Sequence, residues 1–279
     1  MNQDIMDRRL FFERLAQVTG GAAAVLALLP ELEAQGEPAQ PAPGPIVPEN
    51  DPALATAKVE YDSGDAKVGA YLARQKGGGK RPGVVVIHEN RGLTPHIQDV
   101  ARRLGKEGFL ALAPDMLSPI GGTPADQQAA VKMIGTLEQD KTVARLAAAV
   151  RFLAAHPESS GKVGVVGFCW GGAMVNRVMA SDAGAAAGVS YYGSVLPDEQ
   201  VPKIGGPLLL HYAGDDARIN AGIPGFEAAL KANNKQYEKH MYEGAQHAFN
   251  NDSNPARHNK EAATLAWKRT IEFFKGHLQ

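Results

Sequence analysis

One cysteine stands among glycines, in Gly167-Phe168-Cys169-Trp170-Gly171-Gly172. An apolar run, 162–166, leads into it and a helix-forming run, 173–178, leads out, so the spelling is strand, sharp turn, helix with a thiol at the apex. Glycines two positions either side suit a turn too tight for side chains. A thiol so placed can attack a carbonyl, and the first N–H groups of the following helix favour both a thiolate and an oxyanion. Such a nucleophile needs a base to take its proton and an acid to hold that base in one tautomer. The base is expected at His247, in Gly244-Ala245-Gln246-His247-Ala248-Phe249, and the acid at Asp215 or Asp216, in Gly214-Asp215-Asp216-Ala217-Arg218-Ile219. Asp216 is the choice, because it stands three residues before Ile219, an aliphatic anchor for the loop. Glu89 adds a carboxylate just past the apolar run 83–87, where burial would raise its affinity for a proton. Taken singly, each has an ordinary structural reading: cysteines are often buried, aspartates cap turns and helices, and Glu89 can pair with Arg91.

The elements that must position these groups alternate. Strands are expected at 56–61 and 67–74, read as two edge strands joined by the turn 62–65, then at 82–88, 109–113, 162–166, 187–192, 207–212 and 237–242. Helices are expected at 96–107, 124–137, 142–155, directly after Cys169, at 223–233 and at 256–274. Alternation of this kind implies an α/β fold, a mostly parallel central sheet with helices on both faces. The continuous apolar run 83–87 marks a buried central strand. Cysteine, acid and histidine each follow their own strand. The Gly- and Pro-rich stretch 118–126 reads either as a cap over the cleft or as a plain connection.

Composition narrows the classes. The 279 residues are 44% hydrophobic and 21% charged, with a formal net charge of -1 and no block of like charge, so no nucleic acid or anionic membrane surface is indicated as a partner. With one cysteine there is no intramolecular disulfide and no cysteine-rich metal site. The N-terminus reads as a signal peptide over 1–34: Arg8-Arg9-Leu10-Phe11-Phe12 resembles a twin-arginine export signal and precedes an uncharged run, 18–30, too short for a standard membrane span. Export, to the periplasm, is expected, with no stable membrane insertion afterwards; a cytoplasmic location is the alternative. A proline-rich tether is expected over 35–55 and a catalytic domain over 56–279.

With these residues in view, the chain from about residue 57 onward resembles the dienelactone hydrolase family of α/β-hydrolases. The likeness rests on Gly167-Phe168-Cys169-Trp170-Gly171-Gly172, His247-Ala248-Phe249, Tyr191-Tyr192-Gly193 and Val86-Ile87-His88-Glu89-Asn90-Arg91-Gly92-Leu93. The resemblance implies a G-x-C-x-G nucleophile elbow, a Cys169–His247–Asp216 triad, thiol tuning by Glu89 and an oxyanion hole from the backbone N–H groups of Asn90 and Trp170. It implies substrate contacts from Arg91, Tyr191 and Tyr192, though strand-end aromatics such as Tyr191 and Tyr192 also serve simply as core. It further implies a small ester or lactone as substrate, no cofactor and no metal, and a monomer or weak homodimer is expected. One departure stands out. Where the family carries a carboxylate-binding arginine four residues after the histidine, this chain has Asn251, which cannot supply the charge. Arg91, Arg218 or Arg257 are the candidates to replace it.

Overall fold

The computed structural model describes residues 44–279. The expected signal peptide, its arginine pair and residues 35–43 of the proline-rich tether lie outside the described residues.

Eight strands form one sheet: β1 (Leu54–Asp62), β2 (Lys67–Gln75), β3 (Arg81–Ile87), β4 (Leu110–Pro114), β5 (Ser159–Phe168), β6 (Ala187–Tyr191), β7 (Leu208–Asp215) and β8 (Tyr237–Gln246), in the order β1-β2-β4-β3-β5-β6-β7-β8. β2 runs antiparallel to both β1 and β4, and every pairing from β4 to β8 is parallel. The expectation of two edge strands at the start is corrected for the second. β2 lies inside the sheet, and its buried Val68, Ala70, Leu72 and Ala73 supply the apolar surface an interior strand needs.

The helices are α1 (Pro95–Lys106), α2 (Gln127–Gly135), α3 (Gln139–Ala154), α4 (Trp170–Met179), a single turn α5 (Ala217–Asn220), α6 (Ile223–Ala232) and α7 (Lys260–Leu278). Strand side chains alternate between two apolar layers. Val85 and Ile87 pack with α3, α4 and α6, while Val84 and Val86 pack with α1 and α7. Caps explain the shifted helix starts. Asp126 accepts from the Gln128 N–H at 2.9 Å, so α2 begins later than position 124, and Asn259 accepts from the Ala262 N–H at 3.1 Å, so α7 begins at Lys260 and runs to Leu278.

The chain is already packed at residue 46, ahead of the domain start near 55 read from the sequence. The Ile46 and Val47 amides donate to the two oxygens of Asp99 at 3.0 and 2.8 Å, and the Val47 carbonyl accepts from Arg102 Nε at 2.7 Å. Asp99 and Arg102 are both 1% exposed on α1, and this strap adds hydrogen-bond partners to charges that are otherwise met by Arg103 and Tyr71. Among the described residues no helix is long and apolar enough to cross a membrane.

Candidate active site

Five adjacent parallel strands, β3, β5, β6, β7 and β8, end on one edge of the sheet. Glu89, Cys169, Tyr192, Asp216 and His247 each follow one of them, and this carboxyl edge is where open α/β sheets bind ligands.

Cys169 forms the turn between β5 and α4 with φ 56°, a left-handed conformation that costs energy for any residue with a Cβ. The glycines around it are required by contact. A Cβ on Gly167 would stand 2.2 Å from the Gly171 carbonyl oxygen, and one on Gly171 would stand 2.4 Å from that of Ile87. The Cys169 amide donates to the Tyr191 carbonyl at 3.0 Å, tying the turn to β6.

His247, half-buried after β8, holds Nε2 3.1 Å from Cys169 Sγ and Nδ1 2.5 Å from Asp216 Oδ2. A carboxylate only accepts, so Nδ1 carries the hydrogen and Nε2 presents its lone pair to the thiol. Asp216 is buried and its other oxygen accepts from the Ile219 N–H at 3.4 Å, opening α5; the three-residue spacing is a cap that also aims the acid. Its neighbour Asp215 ends β7 and is exposed.

The thiol is held against ionisation. Burial pushes Cys169 up to about 11, the negative charge of Glu89 adds to the effect and Asp216 adds less, while the Trp170 backbone N–H and the Arg218 charge oppose it. The helix N-terminus therefore favours a thiolate, as its position predicts, but is outweighed.

Glu89 is held at both oxygens. Oε2 accepts from Asn251 Nδ2 at 2.7 Å and Oε1 accepts from the Tyr192 hydroxyl at 3.4 Å. Asn251 is 6% exposed and its carbonyl oxygen accepts from Ser253 N at 3.0 Å and Ser253 Oγ at 2.6 Å, which leaves the amide nitrogen for Glu89. Burial and the Glu89 charge raise the Tyr192 phenol well above its ordinary value, so it stays a donor. No ion pair joins Glu89 to Arg91. Arg91 is exposed, on the rim of a cavity of about 780 Å³ that Glu89, Asn251 and the Thr123–Pro124 turn also line. The 118–126 stretch is thus a connection that forms cavity wall. Asp115 pins it through Thr123, whose hydroxyl accepts from the Leu93 N–H at 2.8 Å.

Not every expected residue joins this group. Tyr191 is fully buried, and its hydroxyl is 2.6 Å from Thr270 Oγ1 of α7, in the core layer covered by α1 and α7. Tyr191 closes β6 and Tyr192 lies just beyond it at φ 40°; the two rings share one core layer, 6.1 Å apart, with the Tyr192 hydroxyl turned to Glu89 and that of Tyr191 to Thr270. Arg257 is exposed and is not among the residues lining the cavity, whereas Arg218 is close enough for its charge to act on the thiol. Asn90 occupies the turn directly after Glu89, and Trp170 opens α4. Among the described residues no group of three His, Cys, Asp or Glu side chains is disposed to hold a metal ion.

Two features escape sequence reasoning. Asn251 marks a missing arginine in the sequence but a bond to Glu89 in the fold. The strap reaches the same cavity through Gly44, Pro45 and Glu49, with nothing in its proline-rich composition to signal it.

Comparison with known proteins agrees with this architecture. The model of the "Dienelactone hydrolase family" matches residues 68–278. A protein of Saccharolobus solfataricus named "Putative carboxymethylenebutenolidase" is 31% identical over 254 residues, covering 78% of this chain and 97% of the relative. An Escherichia coli protein of the same name is 30% identical over 253 residues, covering 85% and 93%. The crystal structure titled "Putative Dienelactone Hydrolase" from Klebsiella pneumoniae superposes with a TM-score of 0.74 at 28% identity, covering 80% of this chain and 99% of that one.

Proposed function

The chain belongs to the dienelactone hydrolase family of hydrolases, and from that premise we propose that it cleaves a small carboxylic ester or lactone through an acyl-thiol intermediate on Cys169. The observation that carries the reading is the unbroken line from Asp216 to His247 to Cys169, at 2.5 and 3.1 Å, on the carboxyl edge of the sheet. Sγ attacks the carbonyl carbon while its proton passes to His247 Nε2. Asp216 stabilises the imidazolium, and the backbone N–H groups of Asn90 and Trp170 receive the negative oxygen. The tetrahedral species collapses, the C–O bond breaks and His247 returns the proton to the leaving alkoxide. Water, losing a proton to His247, then attacks the thioester, and the acid leaves as Sγ is released and reprotonated.

Glu89 acts in this scheme by keeping the resting thiol protonated, so that ionisation accompanies attack. Arg91 is the anchor for a substrate carboxylate, since it rims the cavity beside Glu89 where Asn251 offers no charge. A broader esterase with small neutral acyl substrates is the alternative that Asn251 favours. Hydrolysis of p-nitrophenyl acetate and of a dienelactone by wild type and Cys169→Ala separates these. Cysteine-dependent turnover of the lactone supports the carboxylate anchor, turnover of the acetate alone supports the broader esterase, and activity surviving in Cys169→Ala defeats both. Export by the Arg8-Arg9 signal completes the proposal; replacing both by lysine should hold the protein in the cytoplasm.

A further inference from the structure

His88 is fully buried at the end of β3, and the proposed chemistry gives it no role. Its ring is nonetheless satisfied on both sides. Nε2 is 3.2 Å from the Met116 backbone N–H and Nδ1 is 2.6 Å from the Glu89 carbonyl oxygen. A backbone amide can only donate and a carbonyl can only accept, so Nε2 is the acceptor and Nδ1 carries the hydrogen. Burial lowers the affinity of this ring for a second proton, which keeps it in that neutral form.

The Glu89 carbonyl and the Asn90 N–H belong to one planar trans peptide, in which C=O and N–H point in opposite directions. Whatever fixes the carbonyl fixes the amide. The same ring stacks on Trp170, with centroids 5.2 Å apart and planes 13° from parallel, and Trp170 carries the other N–H of the proposed oxyanion hole. One buried imidazole thus braces both donors from behind, one through a peptide plane and one through an indole. We propose that His88 is a positioning residue that orients the Asn90 and Trp170 amides toward the negative oxygen of the tetrahedral intermediate. The inference rests on the hydrolase reading above, because that reading assigns the two amides their task.

The test compares wild type with His88→Phe, which keeps an aromatic face against Trp170 and loses the donor, and with His88→Asn, which keeps a donor near the Nδ1 position. Removing one oxyanion donor costs about 10²–10³ in turnover and misaiming one costs less, so His88→Phe should lower kcat on p-nitrophenyl acetate about 10–100-fold with KM nearly unchanged. His88→Asn should recover most of the loss. Trifluoroacetone, which adds to a thiol as a tetrahedral oxyanion without turnover, gives a second readout through the protection it affords Cys169 against iodoacetamide. His88→Phe should weaken that protection about tenfold or more while the unprotected alkylation rate stays within about twofold. Unchanged kcat and protection in His88→Phe, or a loss that alkylation and melting temperature follow in parallel and that asparagine does not rescue, would overturn the assignment. A wild type that captures the ketone but hydrolyses no ester would sink the hydrolase reading and leave His88 to be judged by capture. A wild type that does neither would overturn both.

Discussion

The thiol offers the sharpest quantitative check, because Cys169 is the only cysteine and every alkylation event reports on it. Burial and the Glu89 carboxylate push its ionisation to about 11. At pH 8 such a group is thiolate about one part in a thousand, whereas an ordinary cysteine near 8.5 is about one part in four, so alkylation should run a few hundredfold slower than in a model peptide. Following iodoacetamide incorporation by mass spectrometry from pH 6 upward, the rate constant should climb about tenfold per unit and bend over only near pH 11. In Glu89→Gln the bend should move to lower pH, since that charge is the largest contribution after burial. A plateau already between about pH 6 and 8 would refute the reasoning. It is the signature of a preformed thiolate–imidazolium pair, and it would mean that the Trp170 amide and Arg218 outweigh burial and Glu89 in the resting enzyme.

Other consequences are separable. Asp216→Asn exchanges an acceptor for a side chain that can also donate to Nδ1, turning His247 to the wrong tautomer; kcat on a simple ester should fall about 10³–10⁴-fold at unchanged melting temperature. Asp99→Ala strips the acceptor from the Ile46 and Val47 amides and leaves Arg102 and Arg103 short of a carboxylate; a loss of about 3–5 kcal/mol should appear as a melting temperature lower by roughly 6–20 °C, with faster proteolysis between residues 44 and 53. Gly171→Ala drives a methyl to 2.4 Å from the Ile87 carbonyl and 2.5 Å from that of His88, so it should abolish turnover through a displaced elbow, measured as lost activity in any variant that still folds.

Legibility followed periodicity and chain order. The elbow, the acid and the histidine fall on one edge because each follows an expected strand, and a parallel sheet brings the ends of its strands together. Asp216 was chosen over Asp215 by its spacing to an aliphatic anchor at Ile219, and in the fold the same spacing forms a cap on α5. Tyr191 and Tyr192 were not separable, since both rings are buried in one core layer and their hydroxyl partners alone distinguish them; that of Tyr191 is Thr270, 79 residues further on. The Asp99–Arg102 clamp was equally hidden. Two charges on a helix read as solvated until the chain that satisfies them is known, and here that chain lies half a hundred residues earlier. The role of Asn251 depends on a partner 162 residues away, so composition marked the lost charge but not the gained hydrogen bond.

The strain in the backbone points to the same edge. Among the described residues four other than glycine have positive φ, and Asn234 at 52° merely ends a helix, where asparagine is at ease. The other three, Cys169 at 56°, Tyr192 at 40° and Ala248 at 69°, follow β5, β6 and β8 and stand at or beside the proposed machinery. Each such conformation costs on the order of 1–3 kcal/mol and persists only where its surroundings over-determine it. The surroundings here do so by contact. A Cβ on Gly172 would meet the Tyr191 carbonyl oxygen at 2.6 Å, and one on Gly193 would meet the Gly172 carbonyl carbon at 2.3 Å, so the elbow and the end of β6 are locked backbone against backbone. The Tyr192 amide donates to the His211 carbonyl at 2.7 Å, and the Tyr192 and His247 rings lie 5.0 Å apart. These three turns are thus packed against one another, the elbow against the end of β6 and Tyr192 against His247. A substitution that relaxed any one of the three turns would move the other two, which is why the site should respond to backbone changes as a unit rather than residue by residue.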